Sequence, residues 1–304
     1  MKVRALNNRG RLLQSDGQIF GGRVFYVVNN TRHWVMDANW CLENGFVWPD
    51  DVEKVSDDDL LAVPLGRPVA PRVGERQPSP AVFDSLQMRS LACSFLRGSG
   101  IEIGAASNPL PIPLDCEVRY ADLLTYEELL GRLYPGQSAG DMIKPTLQAS
   151  IEDLSALTES VDFIATAHVI EHVRNPIGAI VHAATKIRKG GHLLLLIPDM
   201  TQTFDRQRAL TDLQHLILDY RVPSDERDQA HFKEFYRDAF ITPPEQYETV
   251  WTKAFDERFP IHYHTWTYES FQRMVEWIIE TPKSFRRFWS HPTRGNEFCF
   301  VLKR

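Results

Sequence analysis

Ile101-Glu102-Ile103-Gly104-Ala105-Ala106-Ser107 and, about sixty residues later, Ala167-His168-Val169-Ile170-Glu171-His172-Val173 decide how the rest of this chain is read. The first stretch is an apolar strand that ends in an acid and a glycine turn. The second is an apolar strand running into a polar, histidine-bearing segment. Glycine at 104 permits a backbone bend that a side chain would obstruct, and so predicts a following helix N-terminus brought close to a ligand. A dinucleotide fingerprint has three glycines where this chain has one, so a pyrophosphate clamp is not supported. Asp122 lies eighteen residues after Gly104, just beyond the next expected strand. A carboxylate there can accept both hydroxyls of a ribose. The alternative for Asp122 is an ordinary helix N-cap, a role for which Thr125 competes.

Outward from these stretches, strands and helices alternate. Strands are expected at Ile101–Gly104, Val118–Ala121, Thr146–Ala149, Val161–Ala167 and His192–Pro198, with helices at Tyr126–Leu133 and Pro176–Arg188. That pattern predicts a parallel α/β sheet covered by helices on both faces, with ligands at the carboxyl ends of its strands. Residues 200–260 are charged, aromatic and in part helical, and interrupt the pattern. An amphipathic helix over Thr267–Ile279 and two strands, Phe285–Trp289 and Glu297–Leu302, close it.

Residues 1–66 read as a small β-rich module. Arg23–Val28 and Arg32–Met36 flank the turn Asn29-Asn30 as a hairpin, and Ser56 caps a short helix. The module is similar to one found in bacterial envelope and glycan-related proteins. Its Trp34, Trp40 and Trp48 either fill a small core or stack on sugar rings. The proline- and glycine-rich stretch 67–80 reads as a linker, and from Ala81 a helical period begins.

Composition excludes several classes. A net charge of −6 gives no general attraction to nucleic acid, and 43% hydrophobic content is that of a globular protein. The cysteines at 41, 93, 116 and 299 form no CxxC pair, which fits buried thiols in a reducing compartment. The first residues lack an apolar signal core and no run is long enough to span a bilayer, so a cytoplasmic location is expected.

EIGAASNPLPIP, VRYADLLTYEEL, VDFIATAHVIEHVRNPIGAI and KGGHLLLLIPD, in this order, resemble the S-adenosylmethionine-dependent methyltransferases of the seven-stranded Rossmann-like class. The likeness covers residues 81–304. With TFDRQRALTDLQHLILDY and IHYHTWTYESF it extends to a branch associated with bacterial surface-polysaccharide enzymes. It implies seven strands with the last antiparallel, and S-adenosylmethionine converted to S-adenosylhomocysteine. Glu102, Gly104 and Ala105 would then line the methionine and ribose portion, Asp122 and Leu123 the ribose, and Ala167 and His168 the sulfonium side. The family often has an acid near the end of the third strand, where this chain has Ser150. Ile151 stacking on adenine, with Glu152 or Asp153 taking its amino group, is expected instead.

Methyl transfer to a hydroxyl needs a base, and histidine titrates in the right range. His168 and His172, His215 and His231, and His262 and His264 fall where such a fold gathers its acceptor side, whereas His182 and His291 read as structural. His168 or His215 is the expected base, with Asp205 as an orienter. His168, Glu171 and His172 at i, i+3 and i+4, joined by His264, offer a divalent-cation site; the competing reading is that Glu171 and His172 only pin the loop. Together these point to an O-methyltransferase acting on a sugar or glycan hydroxyl, with residues 1–66 available to contact glycan-assembly proteins. The rivals are a metal-assisted methyltransferase of RNA ribose or a small metabolite, and a scaffold that binds the donor without turnover.

Overall fold

In the computed structural model, which describes residues 10–71 and 84–304, the chain builds two sheets. The smaller contains β1 (Arg11–Ser15), β2 (Val24–Val28), β3 (Thr31–Trp34) and β4 (Val52–Val55), in the order β3-β2-β1-β4. Asn29 and Asn30 both adopt left-handed φ in the turn between β2 and β3, the conformation a tight hairpin demands. Trp40 fills this sheet's core beside Tyr26 and Phe46, whereas Trp48 is 40% exposed. Of the stretch read as a linker, Val69 is buried and bridges to Val35, and Arg67 donates to the carbonyls of Pro113 and Cys116. Residues 72–80 of that stretch lie outside the described residues.

Seven strands make the larger sheet: β5 (Ser99–Ile103), β6 (Glu117–Asp122), β7 (Leu147–Gln148), β8 (Val161–Ala167), β9 (Ile187–Pro198), β10 (Arg287–Arg294) and β11 (Glu297–Lys303). Their order is β10-β11-β9-β8-β5-β6-β7, and β11 runs antiparallel to both neighbours while the other pairings are parallel. This is the seven-stranded Rossmann-like arrangement expected from the sequence. β8 and the Leu193–Ile197 part of β9 are almost continuously apolar because helices cover both faces. One face packs on helices Pro176–Lys186, Leu213–Arg221 and Tyr268–Glu280 through Ile101, Ile103, Ile164 and Leu195. The other packs on helix Ser85–Cys93 through Phe163, Ala165, Leu194 and Leu196. Successive residues of a strand face opposite ways, and on β5 this parity has a chemical consequence. Ile101 and Ile103 enter the first core, while Glu102 faces the second.

The helix expected directly after Gly104 does not form. Pro109, Pro111 and Pro113 remove backbone donors and bias their preceding residues to extended conformations, so residues 107–114 run as an irregular loop. Glu102 organises that loop from beneath: its Oε1 accepts the Leu110 N–H at 2.7 Å. The side chain is fully buried, Oε2 has no hydrogen-bond partner, and burial pushes the carboxyl pKa up to about 8. All four cysteines are buried thiols. Among the described residues no helix is long and apolar enough to cross a membrane.

The folded chain therefore holds a proton on Glu102 between its ordinary carboxyl range and about pH 8, where the unfolded chain has lost it. Stability must fall as pH rises through that window. Glu102→Gln keeps the acceptor for Leu110 and should flatten this fall, making the variant more stable than wild type at the alkaline end by a few kcal/mol. Urea midpoints measured across the window check this; equal slopes in both proteins would place the titration elsewhere.

Candidate active site

The strand order reverses between β5 and β8, because β6 and β7 extend the sheet on one side of β5 and β8 begins the other. Open α/β sheets bind ligands at such a switch point. A cavity of about 410 Å³ lies there, lined from the ends of β5 (Gly104, Ala106), β6 (Asp122, Leu123), β7 (Ile151, Glu152) and β8 (His168, His172). Phe259 and Tyr134 complete its wall. Its size is that of a small-molecule site, roughly 300–1,000 Å³. Leu123 is 65% exposed, and Phe259 and Tyr134 are each 38% exposed, so the cavity presents open apolar surface.

The cavity floor is made of unusual backbone. Gly104 has φ +76°, and a Cβ there would stand 2.6 Å from Val169 Cγ2. Ala106 (φ 42°) and His168 (φ 55°) are also left-handed, and neither is glycine. Such residues store about 1–3 kcal/mol each and persist where surrounding structure holds them, commonly at functional sites.

What holds His168 is a buried charge relay from the far side of the sheet. Arg89 grips Glu297 with two hydrogen bonds of 2.7 Å, and Glu297 Oε2 lies 2.8 Å from His168 Nε2. Burial opposes charge on Glu297, yet hydrogen bonds from Arg89 and His168 hold its carboxyl below the usual range. Burial likewise opposes charge on His168, but Glu297 and the nearby Glu171 raise its pKa above the ordinary imidazole value. Nδ1 is the ring atom left to other partners, with Glu171 Oε1 3.8 Å away.

Asp122 accepts from the backbone of Leu124 at 3.1 Å and of Leu123, and burial raises its pKa. Thr125 caps the following helix in a capping box with Glu128, so Asp122 is not needed as the cap. Glu152 takes hydrogen bonds from the backbone of Arg174 and Asn175, and burial raises its pKa too. Asp153 instead accepts from Ser155 at 2.9 Å.

Other expected site residues lie elsewhere. Glu102, Ala105 and Ala167 are not in the cavity lining; Glu102 and Ala167 lie within β5 and β8, and Ala105 is buried just beyond the end of β5. Asp205 pairs neither with His168 nor with His215. Its Oδ2 lies 2.6 Å from His262 Nδ1 and its Oδ1 accepts from Arg208 at 2.8 Å, because the short helical turn Phe204–Gln207 faces the segment 260–266. His215 stands outside the cavity beside Asp219, His231 and His264. The expected metal quartet is therefore divided: His264 joins that cluster, while Glu171 and His172 group with His262. His172 lines the cavity, donates from Nδ1 to the Ile261 carbonyl (2.9 Å), and has its pKa lowered by burial. Glu297 and Arg89 were not singled out in the sequence, and His262 was placed on the acceptor side without its Asp205 partner. An acid opening an otherwise apolar closing strand was the one available hint for Glu297.

Residues 91–277, well over half of the chain, match a family model described as a methyltransferase domain. No significant match to a curated protein was found. Similar solved structures include a methyltransferase from Thermotoga maritima described as a possible histamine N-methyltransferase, at 18% identity over 72% of this chain and 86% of that one (TM-score 0.39). The CurJ carbon methyltransferase is 14% identical over 68% of this chain and 48% of its own (TM-score 0.36). An O-methyltransferase family protein from Burkholderia thailandensis is 12% identical over 72% and 57% (TM-score 0.36). This chain thus spans about half the length of the last two, and likeness at this level has no bearing on its acceptor. The family match, over a sheet of this topology with a cavity at its switch point, places the chain in the methyltransferase-domain family, as an S-adenosylmethionine-dependent methyltransferase.

Proposed function

We propose that the cavity at the switch point holds S-adenosylmethionine and that the enzyme transfers its methyl group to a hydroxyl of a sugar or glycan. The lining fits such a donor on chemical grounds. Asp122 uses backbone donors for part of its acceptor capacity, and a carboxylate has about four lone-pair sites, which leaves room for a ribose diol. Leu123 offers exposed apolar surface to a purine, and Ile151 and Glu152 line the same cavity. Gly104 gives a bare backbone against which a chain can lie, a cradle that a side chain would fill. When bound, the donor supplies an electrophilic methyl group on a sulfonium; orientation and proton handling are left to the protein.

The hydroxyl assignment rests on one observation, the Glu297–His168 pair at the cavity wall. With Nε2 bonded to a carboxylate, the neutral imidazole carries its hydrogen there and its lone pair on Nδ1, the arrangement of a general base. His215, the other candidate, does not line this cavity. The sugar assignment is supported by the resemblance of the stretches 203–220 and 261–271 to the glycan-linked branch. Incubation with labelled donor and a panel of free, nucleotide-linked and polymeric sugars tests the whole reading. Transfer to amines or nucleic acid alone would reject it, and chelator-sensitive turnover restored by magnesium would favour the metal-assisted rival.

Two outcomes are expected from substitutions. Asp122→Asn and Gly104→Val should each weaken S-adenosylhomocysteine binding at least about tenfold in calorimetry, a loss of roughly 1.4 kcal/mol. Full affinity in both folded variants would place the donor elsewhere. His168→Asn should lower kcat by about 10²–10⁴-fold. In wild type, kcat should rise with pH through a pKa above that of ordinary imidazole, since the base works unprotonated and its pKa is raised. Glu297→Gln should move that limb to lower pH. An unmoved limb, or a fully active His168→Asn enzyme, would assign the base elsewhere.

A further inference from the structure

Outside the donor cavity, four side chains from three separate elements converge with little to hold them together. His215 and Asp219 stand one turn apart on helix Leu213–Arg221, His231 projects from helix Asp225–Glu234, and His264 comes from the extended segment 260–266. Each offers one donor atom, and all four atoms lie within 4.8 Å of one another. His215 Nε2 is 3.1 Å from His231 Nε2 and 3.0 Å from Asp219 Oδ2, and His264 Nε2 is 3.9 Å from the same oxygen.

As a hydrogen-bonded cluster this is poorly satisfied. A contact between two imidazole nitrogens is favourable only if one carries a proton and the other does not. Asp219 Oδ2 forms no well-directed hydrogen bond despite its neighbours, and His264, only 1% exposed, has no partner for Nδ1 and only a 3.3 Å contact to the Arg174 carbonyl for Nε2. Unpaired buried polar atoms of this kind are each destabilising by about 1–3 kcal/mol.

We propose that His215, Asp219, His231 and His264 bind one zinc ion in tetrahedral coordination. Zinc takes nitrogen at about 2.0–2.1 Å and carboxylate oxygen at about 2.0–2.2 Å, so ligand atoms around a tetrahedron stand roughly 3.3–3.5 Å apart. The close contacts here, 3.0, 3.1 and 3.9 Å, bracket that spacing. Three histidines and one carboxylate form a set suited to zinc and unsuited to magnesium or calcium. The supporting shell is present as well: Arg227 Nε donates to Asp219 Oδ1 at 2.6 Å, and the His231 ring hydrogen-bonds backbone at Tyr263. Four protein ligands leave no open position, so the role is structural. The ion clamps both insertion helices to the segment that also carries His262 and whose Tyr263 N–H reaches the Glu171 carbonyl at 2.7 Å.

Tag-free protein purified without chelator should contain one zinc per chain by elemental mass spectrometry. The metal-stripped protein should melt earlier, and on refilling with cobalt(II) should show the intense visible absorption of a tetrahedral site. His215→Gln and His231→Gln should each lower zinc affinity by at least about 100-fold, beyond the 10–100-fold typical of outer-shell changes. Should either variant fail to fold, the cobalt spectrum and the chelator-dependent melting of wild type still decide. Wild type that takes up no stoichiometric zinc or cobalt would overturn the proposal. So would zinc retained at wild-type affinity by both variants, which would locate the ion elsewhere, for instance at Glu171, His172 and His262.

Discussion

Glu297 is a carboxylate 1% exposed at the start of the antiparallel strand of the larger sheet, opposite Pro198 and surrounded by core. An isolated charge there would be untenable. It survives because Arg89 binds it through two hydrogen bonds and His168 through a third. Those three residues come from the helix that covers one face, the strand that closes the sheet and the turn that follows the central strand. The same contact therefore locks the covering helix to the sheet, holds His168 in a left-handed conformation it would not adopt unaided, and fixes the ring tautomer. Core packing and the proposed base are joined at one carboxylate.

Strand parity explains why the two buried acids behave differently. Glu297 has a cationic partner in direct contact, and its pKa falls. Glu102 has one backbone donor and only distant charges, and its pKa rises. Glu102 faces away from the cavity because Ile101 and Ile103 take the opposite face, and it works by holding the proline-rich loop after Gly104. The cavity at the switch point thus has one wall, at His168, pinned from across the sheet.

Much of the sheet was legible in the sequence because buried parallel strands leave continuous apolar runs. Val161–Ala167 forms as expected, and Leu193–Ile197 and Glu297–Leu302 lie inside observed strands. Gly104, Asp122 and His168 were legible because their positions at strand ends are local properties, and they do meet at one cavity. Partnerships across the chain were not. Spacing alone suggested His168, Glu171, His172 and His264 as one group, but the extended segment 260–266 delivers His262 to the first site and His264 to a second cluster. Asp205 followed His262 for the same reason. Nothing in local sequence could show Arg89 reaching Glu297, since 208 residues separate them. The missing helix after Gly104 was legible in Pro109, Pro111 and Pro113, yet the expectation of a helix followed the general pattern of such folds rather than these residues.

The most direct test is a crystal structure of the full chain with S-adenosylhomocysteine. The expected result places the ribose hydroxyls on the Asp122 carboxylate, the amino-acid chain along Gly104, and the thioether sulfur facing His168, whose Nε2 still meets Glu297. A product molecule bound away from the β5–β8 crevice, or a His168 ring released from Glu297 and turned from the sulfur, would contradict it.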